Sequence, residues 1–330
     1  MSSSPLVVLT ERDVRRLLTL DAAIESQRAC FRALGSGEAV LPARLLVEGA
    51  EESMAFCYAA RLRPDAPAVS KFGSVNPGNA AAGLPVVNAA VLVLDPATGM
   101  PAALMDGTSV TEIRTAAASA VAAEALAPRA RTLAVLGTGV QGLAHARAIT
   151  RTHALDEIRV WGRDTRRREE AAAALTAELD TTVVAAGSAE AAVRGADLVT
   201  LCTTSTTPVI ETAWCAPGTT VISVGSFAPD RHEYAQDLLT TAGAVVVDDL
   251  ETAEEHAGPV AQALREGTLE RDAVATLGEV LVGARPGRGS AEEIVLYNSV
   301  GIGAQDAAAA GVLLDLARGS GDARVIDLSG

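Results

Sequence analysis

The chain has 330 residues, too long for one ordinary domain and well suited to two. Hydrophobic residues make up 49% and aromatics only 3%, so stacking on aromatic side chains is a poor main source of ligand affinity. A formal charge of -14 repels phosphodiester backbones and anionic lipid, which sets nucleic acid and membrane aside as expected partners.

The opening MSSSPLVVLTERD lacks a basic stretch followed by an apolar one, and no apolar run reaches roughly 18 residues. A cytoplasmic protein without a spanning helix is therefore expected. From residue 11 to 34 the apolar spacing is helical, in two pieces. Thr10 with Glu11 to Asp13 opens the first; Asp21 is read as the cap of the second, which stops at Gly35-Ser36-Gly37. Residues 40–105 change period. Short apolar runs at 45–47, 54–58, 69–72, 86–94 and 102–105 lie between Pro, Gly, Asn and Asp breaks, and Asp95-Pro-Ala-Thr-Gly99 reads as a hairpin turn. A strand-rich, mostly antiparallel sheet is predicted there. Residues 111–126 form a helix ended by Pro128.

Beyond Arg131 strands alternate with helices. The predicted strands are 132–136, 158–161, 182–185, 198–202, 220–224 and 244–247, an alternation that implies a parallel, doubly wound sheet. After Pro286 the run YNSVGIGAQDAAAAGVLLDLA reads as one glycine-led helix. Cys30 and Cys202 sit in apolar patterns and read as buried thiols. The four cysteines and four histidines show no metal-ligand spacing, so no metal is expected.

The segment TLAVLGTGVQGLAHARAIT carries Gly137-Thr138-Gly139-Val140-Gln141-Gly142 between an apolar strand and an Ala-rich helix. Gly137 permits the tight turn, Gly139 a close approach of backbone to pyrophosphate, and Gly142 close packing of helix on sheet. The helix N-terminus then offers free N–H groups to phosphate. A dinucleotide-binding Rossmann domain is predicted. At the end of the second strand, where an acid would bind a ribose 2′-hydroxyl, the chain reads Arg163-Asp164-Thr165-Arg166-Arg167-Arg168. Arg163, with Arg167 nearby, suits a 2′-phosphate and favours NADP(H) over NAD(H); Asp164 is the alternative contact, to a bare ribose. Arg166 to Arg168 also read as a solvated first helical turn. Ligands in such sheets lie beyond the carboxyl ends of the strands, which selects Thr203-Thr204-Ser205 and the stretch 225–231. Thr203 and Thr204 either touch the ribose or nicotinamide or cap the short turn.

Three cations, Arg44, Lys71 and Arg114, adjoin apolar segments of an acidic protein; converging, they would suit a carboxylate. They lie in three motifs. The first is Leu41-Pro42-Ala43-Arg44. The second is Ser70-Lys71-Phe72, leading to Asn76-Pro77 and Gly83-Leu84-Pro85. The third is Asp106-Gly107-x-x-x-Thr111-x-x-Arg114-Thr115-Ala116-Ala117-Ala118-Ser119. With the later Val224-Gly225-Ser226, Glu233, Val247-Asp248 and Ser299-Val300-Gly301-x-x-x-Gln305-Asp306, the chain resembles the ornithine cyclodeaminase and mu-crystallin family from about residue 5 to 318.

The resemblance implies an α/β protein in which a Rossmann NAD(P)-binding domain (117–299) joins a strand-rich α+β substrate-binding and dimerisation domain (1–116 and 300–330), assembled as a homodimer. It implies that Arg44, Lys71 and Arg114 hold a substrate α-carboxylate, and it adds Val224, Gly225, Ser299 and Gly301 to the cofactor contacts. Lys71 becomes the expected proton donor if burial beside two cations lowers its pKa. One departure matters. Cyclodeaminases of the family carry an aspartate shortly after the glycine at residue 225; here Phe227 stands at that position, against the substrate but unable to take a proton or pair with an ammonium. Val86 stands where a Thr or Ser is common. Asp230 and His232 lie on the same loop and read either as proton-exchanging groups or as a helix-capping acid and a solvated histidine. Glu52 reads as a contact for a substrate amine or a charged loop residue. Glu233 reads as structural, Asp248 as closing a strand end, and Asp306 as a helix-terminus charge.

The expected activity is NAD(P)H-dependent reduction of a small, cyclic imino acid, or amino-acid dehydrogenation in reverse, with Lys71, Arg114 and Asp230 as catalytic residues. A cyclodeaminase-type lyase with tightly bound NAD and a non-catalytic NADP-dependent ligand-binding protein are the alternatives.

Overall fold

A computed structural model describes residues 5–50, 53–321 and 323–328, apart from the side chain of Ala80. Two compact units result. The first takes the chain up to Arg114 and again from Ile302; the second is the continuous stretch Thr115–Gly301.

The chain opens with β1 (Leu6–Leu9), α1 (Glu11–Leu17) and α2 (Leu20–Gly35). Thr10 closes a capping box with Asp13 at the head of α1. Thr19, not Asp21, caps α2, because its hydroxyl accepts from the Ala22 N–H two residues into the helix while Asp21 already lies within it. Then follow β2 (Leu45–Glu48), β3 (Met54–Ala60), β4 (Ala68–Val75), β5 (Val87–Leu94), β6 (Pro101–Asp106) and α3 (Gly107–Leu126). The β5–β6 connection is the expected turn, with Asp95 Oδ1 accepting from the Ala97 and Thr98 N–H groups. Helix α3 starts four residues before the predicted position. Asp106 Oδ2 accepts from the Ser109 N–H and so turns the chain at Gly107, where a Cβ would lie 2.9 Å from Ala89 backbone.

The second unit alternates β7 (Thr132–Leu136), α4 (Val140–Thr152), β8 (Glu157–Trp161), α5 (Thr165–Glu178), β9 (Thr182–Ala185), α6 (Ala189–Val193), β10 (Leu198–Leu201), β11 (Thr220–Ser223), α7 (Gln236–Thr241), β12 (Ala244–Val247), α8 (Leu250–His256), α9 (Gly258–Glu266), β13 (Val274–Thr276), α10 (Leu277–Leu281) and β14 (Val295–Asn298). The first unit resumes with α11 (Gly303–Ser320) and β15 (Arg324–Ile326). The predicted glycine-led helix is thus two elements. Its first residues complete β14, and the helix begins only at Gly303.

In the first unit the strand order is β15-β1-β6-β5-β4-β3-β2, antiparallel except for the β1–β6 pair. Side chains alternate across it. Phe56, Lys71, Val91, Val93, Ala103 and Met105 are buried, and α11 packs against β3 and β4. Leu45, Val47, Phe72, Leu92 and Leu104 point the other way and are exposed. The second unit is a parallel sheet ordered β13-β12-β14-β11-β10-β7-β8-β9. Its central strands are buried on both faces, as strands sandwiched between helical layers must be. The order reverses direction between β7 and β10, which is where ligands of such sheets bind. This is the doubly wound Rossmann architecture expected from the sequence; the predicted set lacked β13 and β14.

Candidate active site

In the first unit, β4 and β3 are paired with Lys71 opposite Tyr58. The Lys71 ammonium lies 5.0 Å from the Tyr58 ring centre and 6.0 Å from that of Phe56, and the two rings stack at 4.9 Å. Arg44 Nη1 donates to the Tyr58 hydroxyl at 3.4 Å, and its guanidinium lies 5.8 Å from the same ring. The Arg44 Nε is buried without a hydrogen-bond partner. From the first turns of α3, Thr111 Oγ1 accepts from Lys71 Nζ at 3.3 Å and donates to the Gly107 carbonyl at 2.7 Å.

Arg114, one helical turn further, donates from Nε to Asp306 Oδ1 at 3.1 Å and from Nη1 to Gln305 Oε1 at 2.7 Å. Its Nη2 has no partner among the described residues. Asp306 Oδ2 pairs with Lys71 Nζ at 2.7 Å. Lys71, Arg114 and Asp306 are all at least 96% buried (4% exposed or less). Asp306 lies in the first turn of α11, the helix-terminus charge read from the sequence, and is in addition the counter-ion of two predicted substrate-binding cations. Sequence spacing hid this pairing, because 192 residues separate Arg114 from Asp306. Tyr58 was likewise absorbed into a strand pattern. Burial, reinforced by the Arg114 charge, draws the Lys71 ammonium down from its ordinary range to about 8, and Asp306 opposes that shift. The same two cations hold the Asp306 carboxyl below the usual range despite its burial.

In the second unit, Gly137 follows β7 with φ +130°, and a Cβ there would sit 2.3 Å from the Cys202 carbonyl oxygen. A Cβ at Gly142 would sit 1.9 Å from the Gly137 carbonyl, so this contact admits no side chain. Gly139 differs: its φ is ordinary and a Cβ would meet no protein atom within 4 Å. It is the N-cap of α4 and provides no side-chain cap for that helix's first N–H groups. Thr138 packs against Gly162, where a Cβ would lie 2.7 Å from Thr138 Cγ2. Val140 is exposed. The Gln141 carbonyl accepts from His145 Nδ1 at 2.7 Å, and His145 Nε2 meets Ser119 Oγ of α3 at 2.8 Å. Burial brings this imidazole down to about 4.

At the end of β8, Asp164 caps α5, its Oδ1 accepting from the Arg167 N–H at 2.9 Å. That contact keeps its carboxyl below the ordinary range. Arg163 and Arg167 are exposed and make no ion pair among the described residues, whereas Arg166 pairs with Glu170 at 2.9 Å.

Two buried carboxylates fix the loops at the carboxyl ends of the strands. Glu233 accepts from the Thr203 N–H (2.6 Å), the Gly225 N–H (2.7 Å) and Ser223 Oγ (2.8 Å). Asp248 accepts from the Gly301 N–H (2.6 Å), the Val300 N–H (2.9 Å) and Ser299 Oγ (3.3 Å). Burial raises the pKa of both. The sequence marked them as structural; it did not reveal that between them they hold Thr203, Gly225, Ser299 and Gly301. Thr203 Oγ1 accepts from the Ser205 N–H at 3.2 Å, the turn-capping role, while Thr204 is exposed. Val224 is half-buried and hydrogen-bonds through its N–H to the Leu201 carbonyl. Phe227 is exposed under the Arg231 guanidinium, 4.9 Å from the ring centre. Asp230 is exposed and caps no helix, since α7 begins at Gln236 without a side-chain cap. His232 meets the Pro229 carbonyl. Cys202 is only partly buried, while Cys30 and Cys215 are buried. Glu52 lies outside the described residues. Among those described, no group of His, Cys, Asp or Glu could hold a metal ion, and no helix is long and apolar enough to cross a membrane.

A Rossmann unit joined to an antiparallel unit with a buried lysine–aspartate–arginine cluster defines a two-unit, dinucleotide-binding class of protein. The profile of the ornithine cyclodeaminase/mu-crystallin family matches residues 5–321, and the chain belongs to that family. It is 32% identical over 313 residues to alanine dehydrogenase of Archaeoglobus fulgidus, covering 94% of each chain. Among solved structures, it superposes with TM-score 0.92 and 30% identity on an archaeal alanine dehydrogenase dimer with bound NAD, covering 98% of this chain and 99% of that one. It also superposes with TM-score 0.91 and 28% identity on Thermococcus litoralis Δ1-pyrroline-2-carboxylate reductase in complex with NADH and L-proline, covering 97% and 99%.

Proposed function

We propose that this chain is an NAD(P)H-dependent oxidoreductase that reduces a small imino acid, cyclic in the first instance, to the amino acid, and dehydrogenates the amino acid in reverse. One observation carries the reading: Lys71 and Arg114 share a single protein carboxylate, Asp306, Arg44 stands on Tyr58 beside Lys71 with a buried Nε that has no protein partner, and Arg114 Nη2 makes neither of that residue's two hydrogen bonds. Such an excess of positive charge in a buried place calls for an anion. A substrate α-carboxylate supplies it. The similarity to an amino-acid dehydrogenase and an imino-acid reductase supports the same chemistry.

The second unit supports a nicotinamide nucleotide. Gly139 and the uncapped start of α4 give backbone N–H groups for a pyrophosphate, with no side chain in the way. Asp164 is engaged in capping α5, which leaves Arg163 and Arg167 as the groups for an adenosine ribose. They suit a 2′-phosphate and so NADP(H) over NAD(H). Thr138, Val140, Gln141, Thr203, Thr204, Ser205, Val224, Gly225, Ser299 and Gly301 complete the proposed cofactor contacts. When bound, the nicotinamide supplies hydride to the imine carbon or takes it from the amino acid.

The chain's own residues do the rest. Arg44 and Arg114 bind and orient the carboxylate. Lys71 Nζ gives its proton to the imine nitrogen as the carbon gains hydride, and is recharged from water. A group with a pKa about 8 is protonated at neutral pH yet able to release its proton. Asp230 is the second acid of the proposal. The carboxyl chemistry of a cyclodeaminase is disfavoured at Phe227, whose ring is occupied by Arg231. The exposed apolar sheet face of Leu45, Val47, Phe72, Leu92 and Leu104 supports a homodimer, which sedimentation equilibrium would test; a monomer at micromolar concentration would refute it.

The deciding experiment incubates purified protein with NADPH or NADH and a panel of cyclic and open-chain imino acids. Consumption of reduced cofactor with formation of the amino acid is expected. Conversion of ornithine to proline and ammonia without net cofactor use, or binding without turnover across the panel, would refute the reading.

A further inference from the structure

The chain has 27 basic residues other than histidine, and a count along it finds 26 arginines and one lysine, Lys71. That lysine is buried on β4 against α11 and α3. A guanidinium cannot be deprotonated in a protein, whereas an ammonium can. Apart from the imidazoles, the one cationic side chain of the sequence that can release its proton therefore sits where the proposed reaction needs one.

An ammonium in this position is under pressure to lose its proton. It is desolvated, and the Arg114 guanidinium stands beside it. The groups facing it can be taken element by element. β3 contributes the Tyr58 and Phe56 rings, with Arg44 on the Tyr58 hydroxyl; β5 contributes no titratable side chain. α3 contributes the Thr111 hydroxyl and Arg114; α11 contributes Gln305 and Asp306. Among these described groups Asp306 is the one carboxylate. Its oxygens are divided, Oδ2 to Lys71 and Oδ1 to Arg114.

We propose that Asp306 is a positioning residue for the reaction: by giving one oxygen to each cation it keeps the only lysine charged and fixes which donors of Lys71 and Arg114 remain for the substrate. The proposal rests on the reading of Lys71 as proton donor. The balance of forces agrees with it, since burial and Arg114 lower the Lys71 pKa and Asp306 raises it.

The single lysine makes the test direct. Protein grown with lysine carrying 13C at Cε gives one lysine signal, whose shift with pH reports the Lys71 amine without any turnover. The wild-type midpoint is expected near 8. In Asp306→Asn it should fall by at least about one pH unit, and the pH profile of imine reduction should move down with it. An Asp306→Asn midpoint within about 0.3 unit of wild type would overturn the proposal. Asp306→Glu keeps the charge but moves the oxygens. Its midpoint should stay near wild type while kcat/KM falls at least about tenfold, with NAD(P)H affinity unchanged. A Glu variant with wild-type kcat/KM would overturn the positioning role even where the Asn variant fails to fold. A wild-type protein that reduces no imine, yet shows the Asn shift, would refute the reductase reading while sustaining control of Lys71 by Asp306.

Discussion

Replacing Arg114 by alanine removes a buried guanidinium that makes two hydrogen bonds inside its own unit, to Asp306 at 3.1 Å and Gln305 at 2.7 Å. Breaking a buried ion pair ordinarily costs about 3–5 kcal/mol, because the surviving charge is orphaned. Here Asp306 keeps Lys71 at 2.7 Å, so the stability loss should be nearer that of one charge-assisted bond, about 2 kcal/mol, and the variant should fold. The kinetic effect should be larger in relative terms. Arg114 Nη2 is the nitrogen left for a ligand. One charge-assisted bond to a carboxylate is worth about 1.5–3 kcal/mol, which at 1.36 kcal/mol per factor of ten is roughly 10- to 150-fold in kcat/KM. The assay is the initial rate of NADPH oxidation with pyrroline-2-carboxylate, beside a cyclic imine of the same ring size without the carboxyl group. Arg114→Ala should lose the advantage of the first substrate over the second and change little with the second. A folded Arg114→Ala variant that keeps kcat/KM within threefold on the carboxylate substrate would show that the cluster does not bind that group, and the functional reading would fail with it.

Arg163→Ala should weaken NADPH more than NADH, read as separate dissociation constants from nucleotide fluorescence; equal losses would remove the case for 2′-phosphate recognition. Gly139→Ala and Gly142→Ala should separate ligand from packing. The first meets no protein atom and should weaken nucleotide binding with the melting temperature kept; the second collides with the Gly137 carbonyl and should lower the melting temperature itself. A Gly139→Ala protein with undiminished nucleotide affinity would count against pyrophosphate at that turn. His145 has a folded-state pKa of about 4 against 6.5 for the free side chain, so the fold binds its neutral form. Its contribution is complete above pH 6.5 and is lost as pH falls from there toward 4, by about 2 kcal/mol at pH 5. Urea unfolding of wild type and His145→Gln at pH 7.5 and 5 should show this gap narrowing on acidification; a constant gap would contradict it.

Much of this was readable along the chain because the relevant signals are local. Gly137-x-Gly139-x-x-Gly142 lies between a strand and a helix, and each glycine's requirement concerns neighbours a few residues away. The strand-rich stretch announced itself through alternation and the Asp95 turn. What escaped was either too short or too distant. β13 has three residues and β14 four, and neither carries a period long enough to distinguish it from a loop. Asp306 was legible as a helix-end charge, but not as a counter-ion, because neither of its partners is near it in sequence. Asp248 and Glu233 serve loops 52 and 30 residues away. Asp164 was ambiguous for a different reason: a cap and a ribose contact demand the same residue type at the same place, and the Arg167 N–H shows that it makes the cap, through one of its two oxygens.

The way the first unit is divided along the chain has a consequence for biogenesis. A ribosome delivers β4 and the start of α3 long before it delivers α11, with the whole Rossmann stretch in between. The continuous unit can therefore organise while its interrupted neighbour waits, since domains tend to fold as they emerge. During that wait Lys71 and Arg114 have no Asp306 to neutralise them, and the sheet has no α11 to cover it. Nascent chains stalled before residue 303 should accordingly expose this surface to chaperones, and a premature stop there should discard the substrate site while sparing the nucleotide one.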